Sequence, residues 1–325
     1  MIKRAEKEDA EALAMQLWPG HDPGDAGAVT GTEEKMQYQI IPCAEGDYAV
    51  IAEKLNAFTD SMIPFDDPIE DELVVFKVTD GDGNILAGCN LIINCWRVAE
   101  LDILWVKEPY RRQGIGSALI RAAECAAGEK GCRLMTLGTF DFQARPLYEK
   151  HGYTVCGTLE DLPVKGHIHY DMIKWLDAPS AGAVSPAACA YAIQSGDADD
   201  AEYIDDQLVE YNWSQVPAVR DFLWIGRKIE GDRGEPIAGG FAVVNFWNIV
   251  FLDLLWVNEP CRDQGIGSAL LLELEREAKK NGARIVMLDA RDWNVGFFKK
   301  LGYTVYCKLE DCPDGHSKYK LQKQL

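Results

Sequence analysis

Two hydrophobic periodicities alternate along the chain and set out its elements. The strand-length apolar runs VVFKV (74–78) and ILAGCNLIIN (85–94) flank DGDGN (80–84), whose glycines and acidic residues suit a tight turn. LDILWV (101–106) is apolar at nearly every position and reads as a buried strand. SALIRAAECAAGEKG (117–131) has one apolar face at helical spacing and predicts a helix stopped by Gly131. RLMTLG (133–138) reads as strand and RPLYEKHG (145–152) as a short helix. YTVCGTLE (153–160) and HIHYDMIKWL (167–176) read as a closing strand pair. Upstream, an apolar strand near 38–42 leads into a helix over 47–58.

The whole pattern then occurs again. LDILWVKEPYRRQGIGSAL (101–119) and LDLLWVNEPCRDQGIGSAL (252–270) agree at fifteen of nineteen positions. The match extends upstream, with Asn94/Asn245 and Trp96/Trp247 in register, and downstream through YTVCGTLED and YTVYCKLED. YAVIAEKLNAFTDSMIP (48–64) likewise resembles AEYIDDQLVEYNWSQVP (201–217). Units this long are domains rather than solenoid repeats. The expected division is an N-terminal extension at 1–36, a first domain at 37–176, a linker at 177–188 rich in Ala, Pro and Ser, and a second domain at 189–325. Mixed strands and helices in each unit predict the α+β class, one mixed sheet per repeat with helices on its faces.

Composition narrows the function. The chain has 325 residues, 47% of them hydrophobic, enough for two cores. No apolar run approaches eighteen residues, so no membrane span is expected. The charged start MIKRAEKEDAEALA lacks a secretory apolar region, and the ten cysteines form no CxxC pair, so a cytoplasmic protein with reduced thiols is expected. The net charge of −19 disfavours a nucleic-acid partner and favours a cationic small molecule. No His/Cys/Asp cluster has metal-ligand spacing, so no metal is expected.

RRQGIGSAL places two glycines between a buried strand and a helix. Gly114 and Gly116 leave backbone N–H groups uncovered at the positive end of the helix, which is a cradle for an anion such as pyrophosphate, and Ser117 adds a hydroxyl. The third glycine of a dinucleotide fingerprint is missing, since Leu119 stands there, and no Lys-Ser/Thr follows as in a P-loop.

Arg-x-x-Gly-x-Gly after an apolar strand, followed by FQARPLYEKHGY (142–153), resembles the coenzyme A loop and second signature of the GNAT acetyltransferase superfamily. The tail GTLEDLPVKGHIHY is similar to that of small bacterial members, and residues 1–19 resemble an opening strand and helix. The resemblance covers 37–176 and 189–325. It implies acetyl-CoA as co-substrate and a strand, LDILWV, splayed from its neighbour to admit pantetheine. A backbone N–H near Trp105 or Val106 would meet the thioester carbonyl, and the stretch Arg111, Arg112, Gln113, Gly114, Ile115, Gly116 and Ser117 would hold the pyrophosphate. The second-repeat counterparts are Trp256, Val257, Gln264, Gly265, Ile266, Gly267 and Ser268.

Acyl transfer to an amine needs a proton acceptor, an oxyanion donor and a proton for the leaving sulfur. The resemblance implies Glu100 as the base and Tyr148 as the acid. The second repeat carries Phe251 and Phe298 there, and neither moves a proton. Asp263 replaces Arg112 and brings a negative charge to the second loop. Asp102 and Asp253 occur in both copies and read as shared support. The expectation is therefore an N-acetyltransferase acting in its first repeat on a primary amine of a small cationic molecule, with the second repeat a degenerate copy forming an internal pseudo-dimer. A homo-oligomer is compatible with the sequence. The alternative is a non-catalytic acyl-CoA-binding double domain. The acidic loop PFDDPIEDE (64–72) would attract a polycation, with Phe58, Phe65, Trp213 and Trp224 as apolar walls.

Overall fold

The structure, a computed structural model, describes residues 38–63, 71–176, 191–313 and 315–325. The N-terminal extension, Phe65 and most of the acidic loop expected at 64–72 lie outside these residues, as does the expected linker.

In the first half, β1 (Ile41–Pro42) and α1 (Asp47–Met62) precede β2 (Glu72–Thr79), β3 (Ile85–Ile93) and β4 (Val98–Val106). Then follow α2 (Ile115–Glu129), β5 (Leu134–Phe140), α3 (Arg145–Lys150), β6 (Thr154–Glu160) and β7 (Ile168–Trp175). The second half has the same order: β8 (Gln194–Ser195), α4 (Ala198–Gln215), β9 (Leu223–Glu230), β10 (Pro236–Val244) and β11 (Ile249–Val257), then α5 (Ile266–Lys280), β12 (Ile285–Arg291), α6 (Val295–Lys300), β13 (Thr304–Leu309) and β14 (Lys318–Gln324).

Local chemistry accounts for these boundaries. The turn between β2 and β3 is fixed by Asp80, whose Oδ1 accepts from the amides of Asp82 and Asn84, while Gly83 takes φ +87°. Helix α2 ends before Gly131, at φ +76°, as its sequence predicts. Helix α4 begins with a reciprocal cap, Asp197 accepting from the Asp200 amide and Asp200 from the Asp197 amide.

Among the described residues the strands form two seven-stranded mixed sheets, ordered β6-β7-β5-β4-β3-β2-β8 and β1-β9-β10-β11-β12-β14-β13. The expected α+β class is what is found. The composition of each sheet departs from the sequence repeats, because the first strand and helix of each half dock on the other half. β1 pairs with β9 (Ile41↔Lys228), and β8 pairs with β2 (Lys77↔Gln194).

The exchange is reciprocal at its main docking contacts. Lys77 Nζ bonds Asp200 at 2.6 Å, and Lys228 Nζ bonds Asp47 at 2.8 Å. Ile204 of α4 sits where a Cβ on Gly88 would lie, 2.2 Å from its Cδ1, and Ile51 of α1 sits over Gly239 at 2.1 Å. Glycine at these two strand positions is what lets a β-branched helix residue approach the sheet. Between the halves, Leu159 and Leu162 of the first pack with Trp247, Ile285 and Met287 of the second. The edge strands β6 and β13 also meet there, Gly157 lying against Tyr306 and Cys307.

Candidate active site

Each half contains a strand that leaves its neighbour. β4 pairs in parallel with β5 only over Val98–Glu100, and β11 with β12 only over Ile249–Phe251. Beyond those residues the strands splay, as the family resemblance implies for LDILWV. On the other side β4 is bulged: Asn90 faces Ile103 and Leu91 faces Leu101, so Asp102 is the residue without a partner in the ladder. The bulge reverses the side-chain alternation across Asp102, and Glu100, Asp102, Leu104 and Val106 all line one cavity.

That cavity is a single space of about 1890 Å³ reached by both glycine loops. Ligand pockets usually measure ~300–1,000 Å³, so its size fits two slots opening on a common chamber rather than one. Gly114, Gly116 and Ser117 border it in the first half, and Gly265, Gly267 and Ser268 in the second. Gly114 takes φ +85° and Gly265 φ +82°, each just before a helix whose first turn has no side-chain cap. A Cβ on Gly114 would meet nothing within 4 Å, whereas one on Gly116 would meet Leu147 at 3.3 Å. The uncapped amides and the open approach fit a pyrophosphate in both loops.

The side chains of the loop serve other ends. Arg111 Nε donates to the Val106 carbonyl at 2.8 Å and Gln113 Nε2 to that of Pro109 at 3.0 Å, so both brace the loop from within. Arg262 and Gln264 repeat these bonds. Arg112 and Asp263 take φ +60° in the same left-handed conformation, leaving charge as the difference between them. Trp105 and Trp256 are buried on the sheet beneath the exchanged helices, while Val106 and Val257 face the slots. Arg111 lies over the Tyr211 ring at 4.8 Å and Arg262 over Phe58 at 4.2 Å, so each loop is roofed by a helix from the other half.

The two slots differ at their chemical centres. In the first, Glu100 is exposed, Asp102 is half-buried, and both line the cavity. Burial, reinforced by the charges of Glu100 and of Asp205 on α4, pushes the Asp102 carboxyl up to about 7. Tyr148 of α3 borders the same space, and burial raises its phenol, keeping it protonated. In the second slot Phe251 and Phe298 hold the positions of Glu100 and Tyr148, and Tyr48 of α1 donates to Asp253 Oδ2 at 2.7 Å. The position of Tyr48 is Ala201 in α4, so the two aspartates retained in both repeats sit in unlike surroundings.

The sequence did not single out Asp205, because it reaches the first slot through the exchange; its signal is only a carboxylate beside Ile204 on α4. His167 and His316 make one repeated contact, their Nδ1 atoms 3.0 Å from Asp141 and 3.3 Å from Asp292. Of the expected apolar walls, Phe58 and Trp213 border the cavity. Among the described residues no group of three His, Cys, Asp or Glu could hold a metal, and no helix is long and apolar enough to cross a membrane.

Comparison with known proteins agrees with this geometry. A family profile described as an acetyltransferase (GNAT) domain matches residues 71–155, and one described as the acetyltransferase (GNAT) family matches 190–303. Blasticidin-S acetyltransferase of Streptomyces morookaense is 33% identical over 97 residues, 29% of this chain and 71% of that protein. An uncharacterised N-acetyltransferase of Bacillus subtilis is 32% identical over 112 residues, 33% of this chain and 74% of its own length. A solved acetyltransferase from Bacillus cereus is 32% identical, covers 41% of this chain and 96% of its own, and superposes with a TM-score of 0.39. With two GNAT matches in tandem spanning more than half of its length, the chain belongs to the GNAT acetyltransferase family and is an N-acetyltransferase, a family whose members take the acetyl group from acetyl-CoA.

Proposed function

We propose that the first repeat carries out the transfer, on a primary amine of a small cationic molecule, and that the second repeat is a degenerate copy. The observation that carries this reading is the pairing of Glu100 and Asp102 with Tyr148 in the first slot, against Phe251 and Phe298 in the second.

An amine that enters as an ammonium ion is attracted by Glu100, Asp102 and Asp205. It must lose a proton before its nitrogen can attack. A carboxyl that titrates near neutral pH is suited to take that proton and release it again. Acetyl-CoA supplies the activated acyl carbon. The pyrophosphate would rest on the amides between Arg112 and Ser117, and the thioester oxygen on an N–H near Trp105 or Val106. Tyr148, protonated at working pH, would give its proton to the departing sulfur. The likeness to blasticidin-S acetyltransferase is consistent with an amine of a small molecule as acceptor.

The test is thiol release from acetyl-CoA with a panel of cationic amines. Glu100→Gln and Tyr148→Phe are each expected to lower kcat by ~10²-fold or more, while Phe298→Tyr leaves it unchanged. Tight acetyl-CoA binding without thiol release for any amine would favour the non-catalytic double domain instead.

A further inference from the structure

One cluster facing the shared cavity is not used by the mechanism above. His169 and Asp171 lie on β7, and Lys320 lies on β14 of the second half. All three border the cavity. Lys320 Nζ is ion-paired with Asp171 Oδ1, and the Asp171 side chain is 4% exposed. These two residues occupy equivalent positions of the repeats, as their pairing opposite Gly138 and Asp289 shows. The second repeat thus places an ammonium against an aspartate of the first.

The Tyr306 phenol lies against the Asp171 carboxylate, whose other oxygen, Oδ2, is buried, as is His169 Nδ1. They face each other at 3.7 Å. This is an Asp–His pair slightly longer than a hydrogen bond, a common state of such pairs in a site without substrate. Only Nδ1 of the imidazole is sealed off in this way, and a Cβ on Gly138 would come within 2.9 Å of Nε2. A hydrogen on Nδ1 directed at Asp171 leaves Nε2 as an acceptor. The second repeat has lost this arrangement, with Lys318 at the position of His169 bonded at 2.6 Å to Asp289 at the position of Gly138.

We propose that His169, oriented by Asp171 and completed by Lys320 of the second repeat, is a second proton acceptor of the first site. The inference rests on the acetyl-transfer reading. An ammonium acceptor must shed two protons to become an amide. The first leaves for the Glu100/Asp102 pair and frees the nitrogen lone pair. The C–N bond forms, the second proton passes to His169 Nε2, and the C–S bond breaks as sulfur takes the Tyr148 proton. Of the two protons collected, one restores Tyr148 and one goes to solvent, so the reaction releases one proton per amide. Lys320 lets Asp171 stay ionised beside the histidine without a net negative charge at that end of the cavity.

Burial is the main influence on His169 and pulls its imidazole below the ordinary value, Asp171 opposes this, and Lys320 adds to the lowering. Its neighbours across the sheet, Phe140 and Leu159, are uncharged. Nitrogen NMR of histidine-labelled protein, with His169→Gln for assignment, should find the Nδ1–H tautomer at pH 8. The midpoint should rise in Lys320→Met and return toward the unaltered value in Lys320→Arg. An Nε2–H tautomer, or a midpoint indifferent to Lys320, overturns the proposal. In turnover with spermidine and kanamycin, His169→Gln should lower kcat by ~10²-fold and remove one ionisation from its acid limb, with KM for acetyl-CoA little changed. Turnover and pH profile unchanged in His169→Gln overturn this inference alone. No thiol release from the unaltered protein with either amine overturns the acetyl-transfer reading together with it.

Discussion

Asp102→Asn should make the protein more stable and less active, and the gain in stability should depend on pH. The carboxyl is raised from 3.8 to about 7, chiefly by burial and then by Glu100. The sign follows from linkage. Below about pH 4 the group is protonated in both folded and unfolded chains and costs nothing. Between about 4 and 7 only the unfolded chain is ionised, so the fold loses stability as pH rises. Above about 7 both states are ionised and the loss is complete. Three units at ~1.4 kcal/mol each give an upper bound of ~4 kcal/mol. The side chain borders an open cavity, and screening by water reduces this to roughly 2 kcal/mol. Asparagine removes the ionisation and keeps the shape. For a chain of this length that corresponds to a rise in Tm of ~4 °C at pH 8, shrinking toward zero at pH 4. Thermal melts across this range measure it directly, with thiol release from the same samples. A gain independent of pH, or a loss at pH 8, would refute the electrostatic account of this site. Undiminished turnover would refute its part in proton transfer.

Two further expectations follow from the exchange and the loops. Gly88→Ala should destabilise by ~1–3 kcal/mol in denaturant unfolding because its Cβ overlaps Ile204 and the Phe76 carbonyl oxygen, and combined with Ile204→Ala it should cost less than the sum of the two single changes. Calorimetric titration with acetyl-CoA should lose one equivalent in Gly116→Trp, whereas Gly267→Trp reports separately on the second loop; binding unaffected by Gly116→Trp would mean that the cradle lies elsewhere.

Much of this was legible in the sequence, for reasons that differ between elements. The glycine loop and the helix ending at Gly131 depend on neighbours a few residues away, so local pattern specifies them, whereas the splay of β4 from β5 involves a partner far along the chain and was implied by the family resemblance. The sheets could not be assigned correctly from the pattern, because α1 and α4 present the same docking face. Ile51 and Ile204, Leu55 and Leu208, and Asp47 and Asp200 are interchangeable as far as periodicity can tell, and so are their receptors, Gly88 with Lys77 and Gly239 with Lys228. Only the chain connections choose between docking at home and docking across. The same ambiguity hid Asp205 and the contact of Tyr48 with Asp253, since both reach their slots from the far half.

The exchange gives each half a part in the other's slot. If each half kept its own first helix, the second half would bring no helix to the slot of Glu100 and Tyr148. As folded, the second half supplies α4, and with it Asp205 over the bulged strand and the Tyr211 ring beneath Arg111. It also supplies Lys320, the counter-charge of Asp171. On the proposed reading the second half contributes through its packing and these few side chains, and not through proton-transfer groups of its own. Phe251 and Phe298 are compatible with that reading, because they fill the positions of a glutamate and a tyrosine with apolar volume. Tyr48 likewise engages Asp253 with its hydroxyl.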